Sequence, residues 1–284
     1  MKKLIIYILR IFIRTTAVLF PKWNAAFLFW LLCKVKKAPI TQKGHEFFAQ
    51  GEQEFFEVDG QSTVLHRWGN GSKNLLFLHG WMSNSQRWLP YFEKLDLSQY
   101  TMYALDAPGH GLAKGTSLNI ETYRQAVEKS IAAIGKIDTV VSHSLGTTVI
   151  TYLYLYNPKI PIDKFIIMGA PSGMDAIFKY FQDLCSLSNK ASQNLDNKIN
   201  TVLKIPHQNI HIKNFLSAVK KPVLVIHDVN DDITPVSPII DATKDISEIK
   251  SLFTKGLKHD LKSEQVYTCV LNFVAEKELE LAYC

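Results

Sequence analysis

Short, mostly apolar runs that stop at a polar residue or a glycine recur along this chain, and most are too short to be helices. Leu75–Leu78, Met102–Leu105, Thr139–Val141, Phe165–Met168, Pro222–Ile226 and Ile249–Phe253 are of this kind. Continuous apolar runs of that length predict strands buried on both faces. Between them, apolar residues recur at helical spacing over Gln86–Leu95, Glu121–Ile134, Thr147–Tyr156, Pro238–Asp245 and Glu264–Glu276. Ahead of them, Gln53–Val58 and Thr63–Trp68 flank Asp59-Gly60-Gln61, which predicts a hairpin. Strands alternating with helices predict an α/β fold built on a parallel sheet. Ligands of such sheets bind beyond the carboxyl ends of the strands, and the glycine-rich and polar clusters of this sequence fall there.

Two segments break the rhythm. From about Gly173 to Ala218 no strand is legible. Met174, Ile177, Phe178, Phe181 and Leu184 recur at near-helical spacing, a polar stretch follows, then Ile205, Ile210 and Phe215. This predicts a helical insertion between two core strands. At the other end, Leu4–Phe20 is apolar but broken by Arg10 and Arg14, which share one helical face with Lys3 and Tyr7. Pro21 ends that run and Trp23–Cys33 forms a second. Neither supplies the roughly 20 uninterrupted apolar residues of a spanning helix, and Arg10 cuts short any signal-peptide core. Residues 1–45 are therefore expected to form a helical extension and residues 46–284 a single domain carrying the insertion at about 173–218.

Charge sharpens the first of these segments. The net charge is +6, yet residues 1–45 hold nine bases and no acid, leaving 23 bases against 26 acids in the rest. The body thus has no basic patch of the kind nucleic-acid binding requires. Two readings of the extension stand side by side: a basic amphipathic helix on an anionic membrane surface, making peripheral contact through residues 1–37, and a helical arm packed on the domain. Cys33, Cys185, Cys269 and Cys284 are far apart and form no C-x-x-C pair, which fits free thiols in a reducing, cytoplasmic location.

The chemistry begins at Val140-Val141-Ser142-His143-Ser144-Leu145-Gly146. A strand, small residues flanking a serine, and an immediate helix pattern describe a sharp turn that lifts the Ser144 hydroxyl out of the backbone. A serine needs a base, a group to orient that base, and donors for the developing oxyanion. His259, in the loop after the last strand, is the candidate base. In His227-Asp228-Val229-Asn230-Asp231-Asp232, Asp231 fits the orienting acid best. Asp232 is the runner-up, a candidate helix cap, and Asp228 lies in the turn. The candidate oxyanion donors are the backbone N–H groups of Leu145 and, after Gly80, of Trp81.

Phe77-Leu78-His79-Gly80-Trp81, Asp106-Ala107-Pro108-Gly109-His110-Gly111, Ser142-His143-Ser144-Leu145-Gly146, the acid loop at Asp231 and Gly256-Leu257-Lys258-His259 occur in one order. In that order and spacing the chain resembles the α/β-hydrolase superfamily of serine hydrolases over about residues 52–280. The resemblance implies an eight-stranded, mostly parallel sheet, a helical cap, a Ser144–His259–Asp231 triad, and neither cofactor nor metal. It also implies, as in similar bacterial members, a basic apolar helical stretch before the first strand. Three positions depart from the common pattern: Ser142, Asp228 and Lys258 stand where glycine is usual, the last two adding charge near the triad. The expected activity is hydrolysis of a carboxylic ester or thioester of a small apolar or acyl substrate through an acyl-enzyme on Ser144. Carbon–carbon bond hydrolysis and cofactor-free perhydrolysis use the same triad, and a non-catalytic binding module is the reading from another class.

Overall fold

The structure, a computed structural model, describes residues 2–279, with side chains from Tyr7 onward. The side chains of Lys2 and Lys3, Cys284 and the last residues of the expected 46–284 domain lie outside the described residues. Eight strands form one sheet: β1 (Glu52–Val58), β2 (Gln61–Trp68), β3 (Lys73–Leu78), β4 (Tyr100–Asp106), β5 (Ile137–His143), β6 (Ile162–Met168), β7 (Val223–Asp228) and β8 (Ile249–Thr254). Their spatial order is β1-β2-β4-β3-β5-β6-β7-β8. β2 runs against both neighbours and every later pairing is parallel. The mostly parallel eight-stranded sheet expected from the sequence is present. Asp59 and Gly60 join β1 to β2 with φ of 49° and 69°, the backbone that a two-residue turn between right-twisted strands demands.

Helices flank the sheet in chain order: α1 (Lys2–Leu19), α2 (Pro21–Leu32), α3 (Gln42–Ala49), α4 (Leu89–Phe92), α5 (Ile120–Ile134), α6 (Leu145–Tyr156), α7 (Met174–Cys185), α8 (Asn189–Val202), α9 (Ile212–Ala218), α10 (Ser237–Thr243) and α11 (Glu264–Val274). One face of the sheet packs on α5, α6, α9 and α10 through Tyr123, Val127, Val149, Leu153, Phe215 and Ile239. The other packs on α3, α4 and α11 through Phe47, Trp88, Tyr91, Val266 and Val270. Both faces of β5, β6 and β7 are therefore covered, which is why their sequences are continuously apolar. Cys33 and Cys269 are buried free thiols, and that burial pushes their pKa values up to about 12 and about 11.

Three elements differ from the sequence reading. The helix expected over Gln86–Leu95 is a 3₁₀ turn, Ser85–Trp88, followed by the four-residue α4. Pro90 explains the break, because its ring clashes with the carbonyl four residues earlier and it has no N–H to donate. α3 runs across residue 45, where the extension was expected to end, and buries Phe47 against the Trp68 ring at 4.2 Å. Third, the polar stretch after Leu187 is helical. Ser188 caps α8 by accepting from the Ala191 N–H, and Ala191, Leu195 and Ile199 form its buried stripe.

That stripe packs on the N-terminal arm. Ile13, Ala17 and Leu28 share one core cluster with Leu195, Met174 and Phe178. A buried polar knot ties the three helices together. The Asn24 amide donates to the Ile13 carbonyl and to Thr16 Oγ1, each at 3.1 Å. The Asn194 amide donates to the Ala17 carbonyl at 3.0 Å and to Asn24 Oδ1 at 3.3 Å. Removing one member strands the others away from water, a loss of about 1–3 kcal/mol. Asn24→Ala is accordingly expected to lower the thermal midpoint by roughly 4–8 °C, at ~2 kcal/mol and a chain of this size. An unchanged melt would show that the knot contributes nothing.

Candidate active site

The turn at residue 144 is strained, and close backbone approach explains its small neighbours. β5 ends at His143, Ser144 adopts φ 53° and ψ −119°, and α6 begins at Leu145. A positive φ in a serine costs of order 1–3 kcal/mol. The Ser144 N–H donates to the Met168 carbonyl at 2.9 Å and fastens the turn to β6. A Cβ on Gly146 would lie 2.5 Å from the Leu78 carbonyl oxygen, and one on Gly80 would lie 2.8 Å from the Ser144 Cβ. The loop after β3 therefore passes directly over the serine. Ser142 is fully buried, and its hydroxyl donates to the Ile166 carbonyl at 3.0 Å. It is a core hydroxyl rather than a second group in the site.

Ser144, His259 and Asp231 come together although Ser144 and His259 are 115 positions apart in the chain. His259 Nε2 is 2.9 Å from Ser144 Oγ, and His259 Nδ1 is 2.8 Å from Asp231 Oδ2. With the Nδ1 proton donated to the carboxylate, Nε2 is left to accept from the serine hydroxyl. Asp232, the alternative acid, is exposed. Asp231 also closes its own turn: Oδ1 accepts the N–H groups of Ile233 and Thr234 at 2.9 Å each. Burial pushes its pKa up, but hydrogen bonds from His259 and Thr234 outweigh it and hold the carboxyl well below the usual range.

The N–H groups of Leu145 and Trp81 have no acceptor among the described residues. Both belong to backbone that adjoins Ser144, Leu145 by sequence and Trp81 through Gly80. Ahead of them, His79 holds the loop. Its Nδ1–H donates to the Gly80 carbonyl at 2.7 Å while Nε2 accepts from the Ala107 N–H at 3.2 Å. Burial and the neighbouring His110 lower its pKa to about 3, so it stays neutral.

Three further residues shape the site. Thr234 Oγ1 donates to Asp231 Oδ2 at 2.7 Å and lies 3.1 Å from His259 Nδ1. The sequence alone does not single out Thr234; the local signal that leads to it is an Asp closing a turn on the N–H two residues on, here Asp231 on Ile233. Asp228, fully buried, accepts from Thr254 Oγ1 at 2.8 Å and from the N–H groups of Leu257 at 2.8 Å and Gly256 at 3.3 Å. Burial raises its pKa, and hydrogen bonds from the Leu257 and Asn230 N–H groups and the Thr254 hydroxyl lower it by more. It thereby anchors the loop that presents His259. His143 Nε2–H donates to the His259 carbonyl at 2.7 Å, a second anchor on the same loop. Lys258 is exposed with φ 54°, which accounts for the preference for glycine at that position.

A sequence profile described as the alpha/beta hydrolase fold matches residues 73–184, from β3 through the serine turn and most of α7. A curated relative is 37% identical over 75 residues: the dihydrolipoyllysine-residue acetyltransferase component of the acetoin cleaving system of Cupriavidus necator. That match spans 26% of this chain and about a fifth, 20%, of the relative's length. Among solved structures, an esterase from Rhodococcus sp. ECU1013 superposes with a TM-score of 0.57 at 20% identity, covering 82% of this chain and 100% of that one. Est1E from Butyrivibrio proteoclasticus, bound to ferulic acid, gives 0.63 at 16% identity, covering 79% and 98%. At these identities the common feature is the fold.

The charge on Asp231 gives a pH prediction with a definite sign. Its native pKa lies below the unfolded one, so in acid the unfolded chain binds more protons. Its stabilising contribution is present above the unfolded pKa and is lost as pH falls through the native one, over roughly pH 5 to pH 1. Urea unfolding midpoints of wild type should therefore drop between about pH 6 and about pH 3, and Asp231→Asn should flatten that drop. Parallel acid limbs in the two proteins would refute the assignment.

Proposed function

We propose that this chain, which has the α/β-hydrolase fold, is a serine hydrolase of carboxylic esters or thioesters acting through an acyl-enzyme on Ser144. The observation that carries this reading is the unbroken relay from Ser144 Oγ through His259 to Asp231, at 2.9 Å and 2.8 Å. In the proposed cycle, His259 Nε2 takes the Ser144 proton as Oγ attacks the substrate carbonyl. The tetrahedral oxyanion is held by the Leu145 and Trp81 N–H groups. His259 then gives its proton to the departing alcohol or thiol, and the acyl group stays on Ser144. A water deprotonated by the same imidazole attacks the ester, and His259 returns the proton to Ser144. Asp231 remains ionised throughout, fixing the tautomer and stabilising the imidazolium.

Two features support an apolar acyl group. Met82, one residue past Trp81, and Ile233, between Asp231 and Thr234, are apolar side chains 52% and 60% exposed beside the triad loops. The helical insertion between β6 and β7 begins with α7, which follows the carboxyl end of β6, where a cap would cover the substrate.

An active-site-directed fluorophosphonate is expected to label Ser144 in folded protein. Hydrolysis of p-nitrophenyl esters should fall by at least roughly 10³-fold in Ser144→Ala, and by about 10⁴-fold in kcat in Asp231→Asn. Rates that rise with acyl chain length would support the apolar acyl site. Folded protein that neither labels nor turns over any ester would identify the chain as a binding module instead.

A further inference from the structure

Ten of the seventeen large apolar side chains that are exposed among the described residues lie between Tyr7 and Trp30, in α1, α2 and the residue joining them. That density on so short a stretch is what a recognition surface shows and a solvated arm does not. The arrangement within α1 is ordered. Ile13, Thr16 and Ala17 face α2 and α8 and are buried. Ile8, Ile11, Val18 and Leu19, 56%, 48%, 67% and 63% exposed, fall in one arc on the far side of the helix at its 3.6-residue period. Arg10 and Arg14, both exposed, lie between the buried stripe and that arc. The helix thus has three faces: one docked, one basic, one apolar and uncovered.

α2 extends the same surface. Phe12 stands edge-on to Trp23 at 5.5 Å, Trp23 stacks on Phe27 at 5.3 Å, and Phe27 stacks on Trp30 at 6.0 Å. Both tryptophans are half exposed. Lys34 Nζ closes the row, 4.4 Å from the centre of the Trp30 ring. Tryptophans beside lysine or arginine are what the boundary between headgroup and acyl chain selects.

We propose that α1 and α2 rest on an anionic lipid surface, with Ile8, Ile11, Val18 and Leu19 entering the acyl boundary and Arg10 and Arg14 meeting the headgroups. Charge identifies the occupant. No carboxylate lies within 4 Å of Arg10, Arg14, Lys22 or Lys34 among the described residues. A second copy of the chain would bring the same unpaired cations face to face, whereas an anionic bilayer neutralises them and buries the apolar arc. Contact is peripheral, since no helix among the described residues is long and apolar enough to cross a membrane. The arm also leads to the site. After α2 the chain bonds along the loop that follows β4, the Val35 N–H donating to the Thr116 carbonyl and the Leu118 N–H to the Cys33 carbonyl. That loop leaves the carboxyl end of the sheet, the end at which Ser144 stands, so an acyl substrate held in the bilayer would meet the molecule on its catalytic side. The surface itself does not depend on the hydrolase reading, and its test is separate.

Full-length protein mixed with vesicles of phosphatidylglycerol, and separately of phosphatidylcholine, is assayed by sedimentation and by tryptophan emission. The expected result is binding to phosphatidylglycerol that weakens with salt, with a blue shift from Trp23 and Trp30. Arg10→Glu/Arg14→Glu should lower partitioning by at least roughly twentyfold, at about fivefold for each basic residue. Ile11→Glu/Val18→Glu should abolish it while melting like wild type, because both positions are exposed. No binding to phosphatidylglycerol at low salt overturns the proposal. So does binding that both double variants retain, and so does a full-length dimer whose tryptophan emission vesicles leave unchanged.

Discussion

Loops at the carboxyl ends of parallel strands have N–H groups with no strand to bond, and in this molecule buried carboxylates collect them. Asp106, at the end of β4, accepts from Ser85 N–H at 2.8 Å and Leu112 N–H at 2.9 Å, and from the buried His66 at 2.9 Å. Asp228, at the end of β7, does the same for Leu257 and Gly256, and Asp231 for Ile233 and Thr234. Each anion is taken from water, which is costly unless several donors surround it. Each is surrounded, and in each case the donors are the backbone of a loop bordering Ser144. The site's geometry therefore rests on the same bonds that make those buried charges tolerable. Gly111 shows how tight the arrangement is: its φ is 48°, and any side chain there would run into the Asp106 carboxylate.

The strain at Ser144 is distributed by the same logic. A serine at φ 53° persists only if its surroundings over-determine it. The Ser144 N–H is bonded to β6, Gly146 lies against the end of β3, and Gly80 lies against the serine itself. β5 is thus flanked by the two strands that hold its terminal turn, and the parallel order β3-β5-β6 is a requirement of the turn as much as a feature of the sheet. His143, between the two serines, is neutral because it is buried and lies near Arg87 and His259. Its donation to the His259 carbonyl lets the strained turn and the His259 loop support one another.

Strands that must be apolar on both faces announce themselves, so the sheet, its hairpin and its carboxyl-end loops were legible in the residues. The serine turn was legible because small residues are forced where backbones nearly touch. What escaped was set by contacts distant in sequence. Thr234 and Asp228 are ordinary turn residues until the folded chain brings 254–259 against them. α8 carries too few apolar residues to advertise a helix: Ala191, Leu195 and Ile199 alone meet the core, and beside them Asn194 bonds the amide of Asn24. The break at Pro90 was present in the sequence, but the strong apolar spacing around it masked the local rule.

The N-terminal arm and the inserted segment complete one another, and that joins the periphery to the serine. α8 buries its stripe against α1 and α2, so the arm is packed on the domain, and the lipid contact proposed for it would use the opposite face of α1. Beneath α8, the Lys204 N–H donates to the Tyr152 hydroxyl at 2.7 Å, and Tyr152 donates to Glu121 at 2.6 Å. Glu121 is bound in turn by the Arg124 guanidinium at 2.8 and 2.9 Å. Burial would raise the Glu121 pKa, but Arg124 and Tyr152 hold it below the ordinary range. Tyr152 is fully buried on α6, the helix whose first residue follows Ser144. Moving the inserted segment away from the sheet would take Lys204 from Tyr152 and loosen a buried ion pair at the far end of the helix that begins at the serine. The inserted segment and the helix that begins at the serine turn are therefore linked through one polar chain, from Lys204 through Tyr152 to Glu121.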